Sequence, residues 1–122
     1  MPPVVHFLRR WSFALLMIAV IFAFSSIPAN EMPNFSWADL LVKKSGHILV
    51  YSLLAIACWY GFEWRRERLW LAGLIAFLYA ILDEFHQAFV PGRHSWWADV
   101  TLDSLAAALA LLAASWWQRR KK

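Results

Sequence analysis

Cysteine is almost missing from this chain. Cys58 is the only one in 122 residues, so no intramolecular disulfide can form and the redox compartment cannot be read from it. Charge is also scarce: Asp, Glu, Lys and Arg together make up 16% of the chain, too little to clothe a soluble domain of this length. There is no low-complexity segment, no repeat between the two halves and no metal-binding spacing such as HExxH. No basic stripe runs along a soluble face, which argues against a nucleic-acid partner.

What the chain does have is apolar bulk. Hydrophobic residues make up 61%, nine of them tryptophan, and the mean hydropathy is +0.49, well above a soluble average. The charges fall between four apolar blocks, 11–27, 45–62, 69–88 and 99–117, each close to the roughly 20 residues that a spanning helix needs. The sequence therefore predicts an all-α, polytopic membrane protein, a single domain over residues 1–122 folded as a four-transmembrane-helix bundle. The first block has the basic start of a secretory signal, but its apolar run is long. Ile27, three residues before a cut after Ala29, also makes a poor cleavage site, so retention as a helix is expected. Cys58, in the middle of the second block, is expected to be a buried, inert thiol.

Orientation follows from the basic residues. With the N-terminus in the cytoplasm, Arg9, Arg10, Arg65, Arg66, Arg68, Arg119, Arg120, Lys121 and Lys122 fall inside, leaving Lys43, Lys44 and Arg93 outside. This is the positive-inside pattern, and it places both termini in the cytoplasm. Trp11, Trp64, Trp70, Trp116 and Trp117 then mark the inner interface, and Trp37, Trp96 and Trp97 the outer one. Residues 28–44, with Phe35, Trp37, Leu40 and Leu41, read either as a short interfacial turn of helix or as a plain loop.

Against this apolar background the outer half is unexpectedly polar. Lys44, His47 and Tyr51 fall within an arc of about 60° on the second helix. On the third, Asp83, Glu84, His86 and Gln87 occupy an arc of about 160°, and Asp99 and Asp103 lie one turn apart on the fourth. The Asp99/Asp103 face continues as Ala106, Ala107, Ala110 and Ala114, a small-residue stripe that suits close helix packing and so points the acids into the bundle. Ionisable groups at this depth are functional candidates by default. A purely structural network, with Lys44 and Arg93 neutralising the acids, would be a costly way to fix helices. His94 reads as an interfacial loop residue and Lys43 as a snorkelling flank.

The stretches "KSGHILVY", "DEFHQAFVPGR" and "DVTLDSLAAALA", with "SSIP" at the outer end of the first helix, resemble the VanZ-like family of small bacterial membrane proteins, whose namesake is associated with teicoplanin resistance. The resemblance covers essentially the whole chain. It implies a multi-pass protein of the bacterial cytoplasmic membrane, and it marks Lys44, His47, Tyr51, Asp83, Glu84, Gln87, Arg93 and Asp99 as its characteristic positions. Where family members commonly have Asn and then Gly in helix 4, this chain has Asp103 and Ala106. The resemblance ties the protein to the cell envelope and to glycopeptide tolerance without fixing a reaction.

The cluster itself suggests three kinds of chemistry. In the first, Arg93 and Lys44 hold the phosphate of a membrane lipid or lipid-linked envelope precursor. His47 or Glu84 is then the general base, Asp83 or His86 the general acid, with Gln87 in the same set and Tyr51, Asp99 and Asp103 lining the substrate. Adjacent carboxylates at Asp83 and Glu84 suit such an acid–base division. Asp83, Asp99 and Asp103 could instead gather a divalent metal, Mg²⁺ if carboxylates alone and Zn²⁺ if His47 or His86 joined them. In the second, the pocket captures a head group, a cell-wall intermediate or an antibiotic without turnover. In the third, Asp83, Glu84 and His47 relay protons for a transporter; four helices make a small one, which would need a homo-oligomer, and no inverted repeat or broken helix is visible in its support. Cysteine introduced in place of Arg93 is expected to react with an impermeant thiol reagent on intact cells; labelling only after the membrane is ruptured would reverse the assigned orientation.

Overall fold

The computed structural model describes residues 2–27, 39–91 and 97–120. Among them the protein is all helix, with no strand. Helix α1 spans Pro3–Ser25, α2 Asp39–Gly61, α3 Leu69–Gln87 and α4 Trp97–Arg120, with a 3-10 turn at Arg66–Arg68 leading into α3. Pro3 opens α1 at a position where a missing N–H removes no helical bond. At the other end of α1, the Ser26 N–H returns to the Phe22 and Ala23 carbonyls.

The helices outrun the apolar blocks that predict them. Helix α1 begins at Pro3 rather than at residue 11, α2 at Asp39 rather than 45, and α4 runs on to Arg120. Hydropathy marks only the part that lies in hydrocarbon, whereas helical hydrogen bonding continues through the interfacial turns. Residues 39–44, left open between a turn and a loop, are the first turns of α2. Residues 28–38 lie outside the described residues.

Three stretches, Pro3–Ser25, Arg66–Gln87 and Trp97–Arg120, are long and apolar enough to cross a membrane. Helix α2, 23 residues long, is not among these three stretches of the described residues, and it carries Lys43, Lys44, Ser45, His47, Tyr51 and Ser52. It is nonetheless the centre of the bundle, packing against α1, α3 and most extensively α4. Tyr51, Leu54, Ala55 and Cys58 on α2 are fully buried. They meet the small-residue row Ala72, Ala76 and Ala80 of α3, all at 0% exposure, and Ala107 and Leu111 of α4. Small side chains let these backbones approach closely, the packing expected where hydrophobic burial does not distinguish protein from lipid. Large apolar residues such as Phe13, Leu16, Phe22, Leu82, Phe85, Leu109 and Leu112 point outward.

Successive helices alternate in direction, so α2 and α4 run parallel. One end of the bundle carries the N-terminus of α1, the α2–α3 turn and the C-terminus of α4, and with them most of the arginines. Here Arg10 donates from Nε and Nη2 to the Tyr60 carbonyl at 3.1 and 2.8 Å. Arg66 donates to the Ser115 hydroxyl and carbonyl at 3.0 and 2.9 Å.

The α2–α3 turn between them is strained. Glu63 and Trp64 take φ of 62° and 60°, each a left-handed conformation that costs a residue with a Cβ about 1–2 kcal/mol. Several contacts hold it: the Trp64 N–H bonds the Trp59 carbonyl at 3.0 Å, the Trp59 indole N–H bonds the Arg65 carbonyl at 2.9 Å, and the two indoles meet edge to face at 5.2 Å.

Helix α1 seats against this turn through Trp11, whose ring stands edge-on to Phe62 at 4.9 Å. A Cβ on Gly61 would fall 2.5–2.8 Å from three atoms of the Trp11 indole, inside any contact that real side chains tolerate. Gly61→Ala is therefore expected to destabilise the bundle by about 1–3 kcal/mol, read as a lower melting temperature in detergent. An unchanged melting temperature would show that Trp11 can leave this seat without cost.

Candidate functional site

At the opposite end from the arginines, α2 presents one donor per turn to an acid on another helix. Nearest the helix start, the Lys44 ammonium forms an ion pair with Asp99 in the first turn of α4. One turn deeper, His47 Nδ1 lies 3.3 and 3.4 Å from the two carboxylate oxygens of Asp103. One turn deeper again, the Tyr51 hydroxyl donates to Asp83 Oδ2 of α3 at 3.0 Å. The i, i+3, i+7 spacing on α2 and the i, i+4 spacing on the parallel α4 keep these rungs in step. The His47 and Tyr51 rings lie nearly parallel, 6.2 Å apart.

Asp83 is the most heavily bonded of the three acids. Besides Tyr51, it accepts from the Ser25 hydroxyl at the end of α1 and from Gln87 Nε2 at 3.2 Å. Gln87 also reaches Ser25 Oγ at 3.4 Å. All four helices therefore contribute to the ladder. A carboxylate deep in a bundle is tolerable only when its lone pairs are matched by donors, and here two hydroxyls and an amide provide them. Among the described residues no Lys or Arg contacts Asp83.

Burial grades down the ladder. The Lys44 and Asp99 side chains are 31% and 18% exposed and His47 28%, whereas Asp103 is at 2%. Asp83, Glu84 and Gln87 are buried and Tyr51 fully so. The cluster is thus an enclosed network with a half-open rim at Lys44.

Of the residues singled out from sequence, Lys44, His47, Tyr51, Asp83, Gln87, Asp99 and Asp103 come together in this ladder, and Glu84 is buried in the same turn of α3 as Asp83. His86 does not join it. Its ring stacks on Phe22 of α1 at 4.7 Å, with Nε2 3.4 Å from Ser26 Oγ, on the α1 side of α3 and half-buried. The wide arc on α3 concealed this, since one helix face meets α2 and the adjoining one meets α1. Arg93 and His94 lie outside the described residues. Among the described residues no three His, Cys, Asp or Glu side chains converge as a metal shell would require; Asp83, Asp99 and Asp103 each turn to a separate partner. Ser25 is the ladder member that sequence reasoning passed over, although "SSIP" was visible as a family-like feature. Of the small-residue stripe on α4, Ala106 and Ala107 are buried and Ala110 and Ala114 only half so. The Ala106 carbonyl accepts from the Ser52 hydroxyl at 3.4 Å.

A helical bundle with an apolar exterior and matched acids at the depth of its core is the design of a polytopic membrane protein. The chain belongs to the VanZ/LLP1 family, whose profile matches residues 7–118, nearly its whole length. Neither the curated proteins nor the solved structures give a significant match.

The His47–Asp103 rung can be tested by a double-mutant cycle. His47→Leu, which strands the buried Asp103 carboxylate, is expected to cost about 3 kcal/mol. The double variant His47→Leu/Asp103→Leu should recover most of that loss. Additive losses in reversible detergent unfolding would mean that the two side chains do not act as a pair.

Proposed function

We propose that this VanZ-like protein crosses the bacterial cytoplasmic membrane four times with both termini inside. We further propose that the ladder at its outer end binds, and acts on, the phosphate-bearing head of an envelope lipid or lipid-linked cell-wall precursor. The fourth span is α2: its 23 residues reach about 35 Å at 1.5 Å each, and its polar side chains are matched by partners on α3 and α4. The gathering of basic residues at the opposite end favours this orientation.

The observation that carries the reading is the gradient along the ladder. A cation, Lys44, stands at the half-open rim, and acid–base groups lie beneath it. A lipid phosphate entering between the outer ends of α2 and α4 would compete with Asp99 for Lys44, with Arg93 as a second, bidentate cation from the adjoining loop. His47, already paired with Asp103, is then the nearest group able to take or give a proton at the bound head group. Withdrawing or altering such a precursor would change tolerance to glycopeptide antibiotics.

A second reading, proton-coupled transport, is favoured by Asp83 itself. It sits in a chain of exchangeable protons on Ser25, Tyr51 and Gln87, with no cation among the described residues to fix its charge.

Native mass spectrometry on protein extracted gently from its own membrane separates the two. Wild type is expected to retain a phosphate-bearing lipid that Lys44→Ala and Arg93→Ala lose. A wild-type protein that comes through bare would overturn lipid binding. The relay would then be judged in liposomes, where proton movement lost in Asp83→Asn would establish it and silent wild-type liposomes would end it.

A further inference from the structure

A second feature lies at the arginine-rich end, away from the ladder. Between α1 and α2 runs a groove of about 400 Å³, within the range of about 300–1,000 Å³ that ligand clefts occupy. Its walls come from regularly spaced positions: Arg9, Ser12 and Phe13 on α1, and Leu53, Ile56 and Ala57 on α2, with Tyr60 and Trp64 completing it towards the turn. The lining changes character along its length. Towards the middle of the bundle it is aliphatic, at the turn it is aromatic, and at the mouth it carries a guanidinium.

Arg9 at that mouth and its neighbour Arg10, which is not part of the lining, are not equivalent. Arg10 is committed: its Nε and Nη2 bond the Tyr60 carbonyl, and its guanidinium carbon stands 4.1 Å from the centre of the Tyr60 ring. It holds one wall in place and adds a fixed positive charge behind it. Arg9 is exposed, and among the described residues no carboxylate pairs with it. The Ser12 hydroxyl is turned back to the Arg9 carbonyl at 2.9 Å, so the groove floor below the arginine offers little polarity.

From this arrangement we infer that the groove is a binding site for an anionic phospholipid of the inner leaflet, with the phosphate on Arg9 and one acyl chain lying along Phe13, Leu53 and Ile56. Charge complementarity selects the head group, because basic pockets between helices on the cytoplasmic side suit anionic lipids. Size selects the chain: a cleft of this volume admits a flexible hydrocarbon but not a second helix of about 10–12 Å diameter. Tyr60 and Trp64 stand where the interfacial part of the lipid would rest, the usual place for such rings. The inference rests on the membrane-spanning part of the function proposed above and not on the chemistry of the ladder.

The test uses the full chain in neutral detergent, titrated with phosphatidylglycerol or phosphatidylcholine and read by native mass spectrometry and melting temperature. Phosphatidylglycerol is expected to bind wild type more tightly than phosphatidylcholine and to raise its melting temperature further. Arg9→Gln should weaken phosphatidylglycerol binding about fivefold to tenfold. Arg119→Gln, which removes a charge from the same end but outside the groove, should leave it unchanged. Leu53→Trp fills the cleft while keeping every charge, and should also abolish the preference, which decides the matter should Arg9→Gln fail to fold. Equal binding by wild type, Arg9→Gln and Leu53→Trp would overturn the site. So would an equal loss in Arg9→Gln and Arg119→Gln, since that is general attraction to a basic surface. The two readings fail separately: the ladder reading stands or falls on lipid retained from the native membrane in Lys44→Ala and Arg93→Ala, whereas the phosphatidylglycerol preference at the groove is decided by Arg9→Gln and Leu53→Trp alone.

Discussion

Everything at the outer end of this bundle follows from the cost of placing carboxylates out of contact with water. Moving an ionised acid into an apolar interior is prohibitive unless donors meet its lone pairs. A helix cannot supply those donors from its own backbone, because its N–H groups are already used. The donors must come from neighbouring helices at matching heights. Helix α2 carries them one turn apart, and the acids of α3 and α4 are arranged around it. This requirement also explains why the helix that carries Lys44, His47 and Tyr51 is the central one: these side chains are met by acids on its neighbours, whereas the outward sides of α1, α3 and α4 face away from the bundle with large apolar residues.

The opposite end is built on a different rule. There two arginines find neutral oxygen: Arg10 takes the Tyr60 carbonyl near the end of α2, which also accepts the Glu63 N–H at 2.9 Å, and Arg66 takes the backbone and hydroxyl of Ser115. A guanidinium with several donors in one plane can satisfy such carbonyls while keeping its charge at the membrane surface. Acids are thus held by shared protons at one end, and cations are spent on backbone at the other. The groove beside Arg9 exists because its neighbour Arg10 is already committed, and because the strained turn at Glu63 and Trp64 brings an indole round to close it.

Much of this was legible in the sequence, and the failures have physical causes. The facing of Lys44, His47 and Tyr51 follows from periodicity alone, as do the one-turn step from Asp99 to Asp103 and the inward pointing of the alanine-rich side of α4. Helices α1, α2 and α4 begin before their apolar blocks because hydropathy falls off before helical hydrogen bonding does. His86 was drawn into the cluster because a wide polar arc does not say which neighbour each part of it meets; Phe22 on α1 claims it. Ser25 was missed because a serine at the end of an apolar run carries no periodic signal, and only the distant Asp83 gives it a role. The three alanines Ala72, Ala76 and Ala80 lie on the same side of α3 as Asp83 and Gln87, and could have been read as the continuation of that face.

The rungs of the ladder differ in one respect that bears on alignment. Two of the three acids, Asp99 and Asp103, stand on α4, which runs parallel to α2 and repeats nearly the same spacing. If only these two existed, α2 could slip by one turn, about 5.4 Å, set His47 beside Asp99 and Tyr51 beside Asp103, and remain plausibly paired. Asp83 breaks that degeneracy. It hangs from the antiparallel α3 and is tied to the tip of α1 through Ser25, so a slipped α2 would leave it facing the aliphatic turn below Tyr51. The third rung works like the offset mark on a vernier scale, making a single sliding position of the central helix distinguishable from its neighbours.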